Sequence, residues 1–252
     1  MFYHIGFGRQ DLGESSPEIA LLSGELERSH HIAHTYLQNV RLLSKYRGLD
    51  SYVGNLSNGK SILIATSGMG APSLSIVVNE LVQVGIKKII RIGTCGSIQP
   101  HVKVGSAVIS QGALCRQGAA NDIAPIEYPA VADPFLTVDL ITTARQLKYP
   151  YHLGITASVD TFYEGQERIE SSANPHLQAW LKGITEQYRY LNILNYEMEA
   201  GTLFKMGSVY GFAAACICGV VAQRNESETV IVEQKSLAVA RAIEVAIKAI
   251  GL

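Results

Sequence analysis

The chain has 252 residues, 47% of them hydrophobic, enough to bury the core of one α/β domain, which excludes intrinsic disorder. Its 21 Lys and Arg stand against 22 Asp and Glu, a net charge of −1, so partnership with nucleic acid or a membrane surface is not expected and any anion site must be local. No window holds the roughly 18 uninterrupted apolar residues of a membrane span, the first ten residues lack a basic stretch leading into an apolar run, and the cysteines form no Cys-x-x-Cys pair; a cytoplasmic protein with reduced, buried thiols and no metal is expected.

In chain order, short apolar and β-branched runs at Ile19–Ser23, 62–66, 88–92, 106–110, 153–157 and 212–221 predict central strands. Asn58-Gly59, between 51–56 and 61–65, predicts a two-residue hairpin and hence an antiparallel portion of the sheet. Residues 72–84 open with a proline and predict a helix, while 117–134, rich in Ala, Pro and Asp, predicts a large loop. In the last helix, Val232–Ile250, the residues Leu237, Ala240, Ile243, Ile247 and Ile250 predict the buried face, with Arg241, Glu244 and Lys248 opposite. Strands alternating with helices predict one α/β domain over residues 1–252, a mixed twisted β-sheet flanked by helices. His30, His31 and His34 read as a polar helix face, because the metal order H-E-x-x-H is absent. Gly68-Met69-Gly70 lacks the third glycine and the later acidic residue of a dinucleotide loop, so no nicotinamide cofactor is expected.

In open α/β sheets, ligands bind beyond the carboxyl ends of strands, and four such places carry unusual residues. Gly24-Glu25-Leu26-Glu27-Arg28 offers backbone N–H groups and a guanidinium fork for an anion, or else an ordinary strand-to-helix turn with a surface arginine. Arg91 lies inside an apolar strand, where it needs an anionic partner: a bound phosphate, helped by Thr94 and its glycine-rich turn, or an internal carboxylate. Phe162, Gln166 and Arg168 set a ring, an amide and a guanidinium close together, matching a uracil face and its O2, N3–H and O4 edge, although a solvated loop with one packed Phe would look the same. Asn195-Tyr196-Glu197-Met198-Glu199 ends a strand and opens a helix; Glu199 there could accept from a ribose diol or simply favour the helix N-terminus.

Together these segments resemble the nucleoside phosphorylase-I family, and within it the bacterial members that act on uridine. The likeness covers most of the chain and rests on Phe2–Gly6, RIGTCGSIQP from Arg91, APIEYPAVAD from Ala124, TASVDTFYEGQER from Thr156 and NYEMEA from Asn195. The resemblance implies a three-layer α/β/α fold and a pentosyltransferase that uses inorganic phosphate as co-substrate, needs no cofactor and releases uracil and ribose 1-phosphate. It makes Gly24, Arg28, Arg91 and Thr94 phosphate ligands, with Arg47 reaching a neighbouring subunit's phosphate. Glu197, Met198 and Glu199 would hold the ribose beside Thr94, Cys95 and Gly96, with His4 of the adjacent subunit over the 5′-hydroxyl. Phe162, Gln166 and Arg168 would bind uracil, Val221 and Ala222 would line the base pocket, Arg224 would order Arg168, and 223–231 would close as a flap. Catalysis would fall to Arg91, Gln166, Arg168 and Glu199, in a homohexamer built as a trimer of dimers.

The sequence departs from the family pattern at Glu25-Leu26-Glu27, where Asp-Pro-Asp is usual, at Cys95 for a threonine, at Gln223 for an asparagine, and at Gly48, where a potassium-binding glutamate is usual. Rival expectations are a purine nucleoside phosphorylase or a nucleosidase, each wanting an acid near 220–224 that Ala222-Gln223-Arg224 lacks, and a nucleoside-binding paralogue without turnover.

Overall fold

The apolar run Ile19–Ser23 becomes β1, every residue of it buried, because a parallel strand covered on both faces needs an uninterrupted apolar sequence. A computed structural model describes residues 1–224 and 232–251, so most of the expected flap lies outside the described residues. After β1 come α1 (Leu26–Tyr36), β2 (Gln38–Ser44), β3 (Ser51–Asn55), β4 (Ser61–Thr66), α2 (Ala71–Gln83) and β5 (Lys88–Ser97). Then follow β6 (Ala107–Arg116), α3 (Gly118–Ile123), α4 (Pro134–Gln146), β7 (Tyr151–Val159), α5 (Ile184–Tyr190), β8 (Ile193–Glu197), α6 (Ala200–Tyr210), β9 (Ala213–Gln223) and α7 (Val232–Ile250).

The described strands form one mixed nine-stranded sheet in the order β2-β3-β4-β1-β5-β8-β7-β6-β9. Strand β1 is parallel to β4 and β5, and β3 and β4 form the expected antiparallel hairpin, though through a longer turn than two residues: the Gly59 N–H donates to the Leu56 carbonyl at 2.8 Å, with Gly59 at φ +83°. Strand β9 returns to pair with β5, so β5, β8, β7, β6 and β9 close into a ring. Helices α2 and α6 cover one face, packing Leu74, Val78, Leu203 and Phe204 on Leu22, Leu63 and Ile89. Helices α1, α4 and α7 cover the other, packing Ile32, Leu140 and Ile243 on Leu21, Ile64 and Ile217. The chain is thus a single α/β domain with helices on both sides of its sheet.

Two local expectations are corrected. The 117–134 segment is not all loop: α3 lies within it, and its order comes from buried polar contacts rather than periodicity. Gln117 accepts from the Thr202 N–H at 2.9 Å and hydroxyl at 2.8 Å, and Lys205 Nζ donates to the Pro125 carbonyl at 2.6 Å. On α7, Ile243, Ile247 and Ile250 are buried as expected, joined by Ala238, Ala242, Val245, Ala246 and Ala249, whereas Leu237 is 46% exposed and Ala240 is exposed. The reason is close approach. A Cβ at Gly219 of β9 would sit 2.7 Å from the Ala238 carbonyl, so only small residues fit along the contact. Cys115 is half-buried, whereas Cys95, Cys216 and Cys218 are buried as expected.

Because the obstacle at Gly219 is backbone, Gly219→Ala is expected to force α7 off β9 and lower the unfolding free energy by about 1–3 kcal/mol. Urea denaturation checks this; unchanged stability would mean that the helix is free to shift.

Candidate active site

Strand β1 stops where Ser23 pairs with Ile92, but β5 runs on to Ser97 with β9 on one side and, at Gly96 and Ser97, β8 on the other. Where β1 has ended, a cavity of about 250 Å³ opens. It is lined by Gly24 and Arg28 after β1, Arg91, Thr94, Cys95 and Gly96 on β5, Phe162, Gln166 and Arg168 after β7, Glu197, Met198 and Glu199 at the end of β8, and Val221 and Ala222 on β9. All four places singled out in the sequence therefore meet in one cavity. Glu25, Met69 and Tyr196 also line it and had been given no role; Met69 follows the carboxyl end of β4, so the strand-end rule pointed there too.

Three predicted residues do not line it. His4 lies in a separate groove of about 710 Å³, where its Nδ1 is 2.6 Å from Glu80 Oε1. Arg47 sits over the Tyr3 ring at 5.7 Å. Arg224 stacks 5.3 Å from the Tyr196 ring centroid, and its Cδ and Arg168 Nη2 both crowd the space a Cβ on Gly96 would take.

At one end of the cavity, Arg91 has resolved its alternatives in favour of an internal carboxylate while still lining the space. Its Nη2 bonds Glu199, and its Nη1 lies 3.7 Å from Glu197 Oε2 and 3.4 Å from Cys218 Sγ. Gly93 permits this fold-back, since a Cβ there would sit 1.9 Å from Arg91 Nη1. Burial opposes the Arg91 charge, but Glu199, the Cys218 sulfur and Glu197 hold its pKa well above the usual value. Arg28 donates through Nη1 to the Ile92 carbonyl at 3.1 Å and through Nη2 to Glu25 at 2.8 Å. Burial lowers its pKa, with Glu25 opposing and Arg91 adding to the fall. Gly24 leaves room for the Gly68 carbonyl, 3.2 Å from where its Cβ would be, so the turns after β1 and β4 stack closely.

Glu199 opens α6 and is held on both oxygens, by Arg91 and by the Gly70 N–H at 2.7 Å. Glu197 accepts from the Glu199 and Ala200 N–H groups at 2.8 Å each and from the Ser158 hydroxyl, while Ser158 and Gln117 take the next two N–H groups of α6. Glu197 Oε2 already takes two N–H groups and the side chain is fully enclosed, whereas each Glu199 oxygen takes a single donor and keeps a lone pair for a ligand. At the other end, Phe162 lies 4.2 Å from the Arg168 guanidinium, and Gln166 Oε1 accepts from Arg168 Nε at 3.2 Å. Glu167 anchors this loop by accepting from the Thr185 N–H at 3.0 Å. The lining thus carries three arginines (28, 91 and 168) and three glutamates (25, 197 and 199).

Burial pushes the Glu197 carboxyl up to about 7 from 4.5; Arg91 opposes the shift and Glu199 adds to it. Between those values the unfolded chain has released a proton that the folded chain keeps, so folding stability falls as pH rises through this window. Glu197→Gln cannot titrate. Its stability relative to the wild type is expected to rise by about 2–4 kcal/mol between pH 4.5 and pH 8; a pH-independent difference would mean that Glu197 is ionised throughout.

Known proteins resemble the chain over nearly its full length. A uridine phosphorylase of Salmonella typhimurium is 35% identical over 247 residues, 98% of this chain and 96% of that one. A uridine phosphorylase of Haemophilus influenzae is 37% identical over 226 residues, 90% of this chain and 88% of that one. A DeoD-type purine nucleoside phosphorylase of Hahella chejuensis is 32% identical over 251 residues, 98% of this chain and 97% of that one. The model of the phosphorylase superfamily matches residues 18–250, and the chain belongs to that family.

Proposed function

We propose that the chain is a uridine phosphorylase, a pentosyltransferase that cleaves uridine with inorganic phosphate to uracil and ribose 1-phosphate. The observation that carries this reading is the union, in one cavity, of Arg28, Arg91 and Thr94 with the Phe162, Gln166 and Arg168 cluster, and of Glu199 with the first group.

In the reaction, a phosphate oxygen attacks C1′ as the C1′–N1 bond breaks and the bonding electrons pass into the uracil ring. Arg28, Arg91, Thr94 and the backbone at Gly24 hold the phosphate, and Glu199 accepts from the ribose hydroxyls beside Met198. Arg168 and the amide of Gln166 donate to carbonyl oxygens that gain negative charge in the transition state, so these bonds strengthen as the reaction proceeds. The second lone pair on Gln166 Oε1 can accept from N3–H while the first takes Arg168. Phe162 covers the ring, with Val221 and Ala222 against its edge. Phosphate is a co-substrate, and the chemistry needs no cofactor or metal.

His4 and Arg47 are assigned to the cavity of an adjacent copy, which makes a dimer the smallest competent unit within a homohexamer. Supporting this, both residues lie outside their own chain's cavity and near Tyr3, whose ring is 4.9 Å from His4. The enzyme is assigned to the cytoplasm; among the described residues no helix is long and apolar enough to cross a membrane. Against purine specificity stands the base end of the cavity, where Phe162, Gln166, Arg168, Val221 and Ala222 include no carboxylic acid to protonate a purine nitrogen.

Uracil release from uridine is expected only when phosphate is present, and inosine is expected to remain intact in the same assay. Arg91→Ala should lower turnover about 100-fold or more, and Gln166→Ala should raise the uridine KM about tenfold, a loss of ~1.4 kcal/mol. Cleavage without phosphate would indicate a hydrolase, and preferential inosine cleavage would indicate a purine enzyme.

A further inference from the structure

We infer that Glu25 is an internal rival of phosphate for Arg28 and thereby sets the phosphate concentration the enzyme requires. The inference rests on the reading that Arg28 holds phosphate. Both residues line the cavity, and Glu25 Oε1 is 2.8 Å from Arg28 Nη2. The two partners differ in freedom: the Arg28 side chain is 5% exposed and the Glu25 side chain 55%. Arg28 Nη1 is held by the Ile92 carbonyl on β5, and its buried Nε has no hydrogen-bond partner, so Nη2 is the donor on which the carboxylate rests. An oxyanion that comes to this guanidinium meets the Glu25 carboxylate already on Nη2, and two anions on one guanidinium repel each other. Arg28 is anchored in the sheet, so the partner that yields is Glu25, which already faces solvent.

Nor is the Glu25 carboxylate needed elsewhere. It stands at the N-cap of α1 but makes no side-chain cap hydrogen bond, so its carboxylate satisfies no backbone donor of that helix. The next acid of the same turn, Glu27, is exposed and lines no part of the cavity, which separates direct competition from the general field of nearby carboxylates.

The test is steady-state phosphorolysis of uridine at varied phosphate, with calorimetric titration of inorganic phosphate into wild type, Glu25→Gln, Glu25→Ala and Glu27→Gln. Both Glu25 variants are expected to show a phosphate KM and Kd lower by about two- to fivefold, the scale of a half-exposed ion pair, while the uridine KM does not follow and Glu27→Gln matches wild type. Unchanged or weaker phosphate binding in both Glu25 variants overturns the inference, as does an equal gain in Glu27→Gln. A wild-type enzyme that binds no phosphate and cleaves uridine without it overturns the phosphorylase reading as well, an outcome distinguishable because it is seen before any substitution.

Discussion

The structure turns on a guanidinium buried in a β-strand. Arg91 sits in the middle of β5, where desolvation would make an unpaired charge untenable, and the surrounding architecture answers that demand. Glu199 supplies the closest anion, Glu197 a second, and the sulfurs of Cys216 and Cys218 fill the space beneath Nη1. Because Glu199 is the N-cap of α6 and Glu197 ends β8 just before it, the same pairing fixes where that helix begins relative to β5. Glu199 then reaches across to the Gly70 N–H, so the loop opening α2 is tied to the same charge. One ion pair joins a central strand and the N-terminal ends of two helices on one face of the sheet.

This arrangement divides the cavity by polarity. Its Arg28 and Arg91 end is a region of opposed charges already in place, so an incoming anion exchanges partners rather than creating charge, and the dipoles need little reorganisation. The Phe162 cluster brings together a ring, an amide and a guanidinium, groups that match the face and polar edge of a heterocycle. Distance between these regions is set by β5 and β9, which run in parallel through Arg91↔Cys216 to Ser97↔Gln223, and by the closed ring of strands that prevents them from splaying.

The carboxylates that accompany the arginines serve different ends. Glu197 is enclosed, accepts from the Glu199 and Ala200 N–H groups and has its charge opposed by burial. Glu199 is enclosed but shared between Arg91 and the Gly70 loop. Glu25 is half in solvent and holds Arg28 from outside. Residue type alone does not distinguish them; their exposure and partners do.

How much of this was legible in the sequence follows from the range of the interactions involved. The apolar runs of β1, β4, β5 and β9, the Asn58-Gly59 hairpin, α2 with its early proline and the long α7 are local patterns, and they emerged close to where they were expected. So did the strand-end residues of the site, because a charged or polar group directly after an apolar run is visible without knowing the neighbours. The lining of Arg28, Arg91, Gln166, Arg168 and Glu199 was therefore readable as a set of sites, and family resemblance joined them. What tertiary structure decided was pairing: that Arg91 chooses Glu199, that Glu197 is consumed by the start of α6, that Glu25 closes on Arg28, and that α7 turns an alanine stripe rather than Leu237 to β9. The first joins residues far apart in sequence and the last rests on a backbone approach at Gly219, where the absence of a side chain gives no periodic signal; the Glu197 and Glu25 contacts are between near neighbours, but which partner each takes is set by the backbone path around it. Sequence determined which chemical groups were available at the ends of the strands; the fold determined which of them neutralise one another, because burial makes that choice only after the strands have closed.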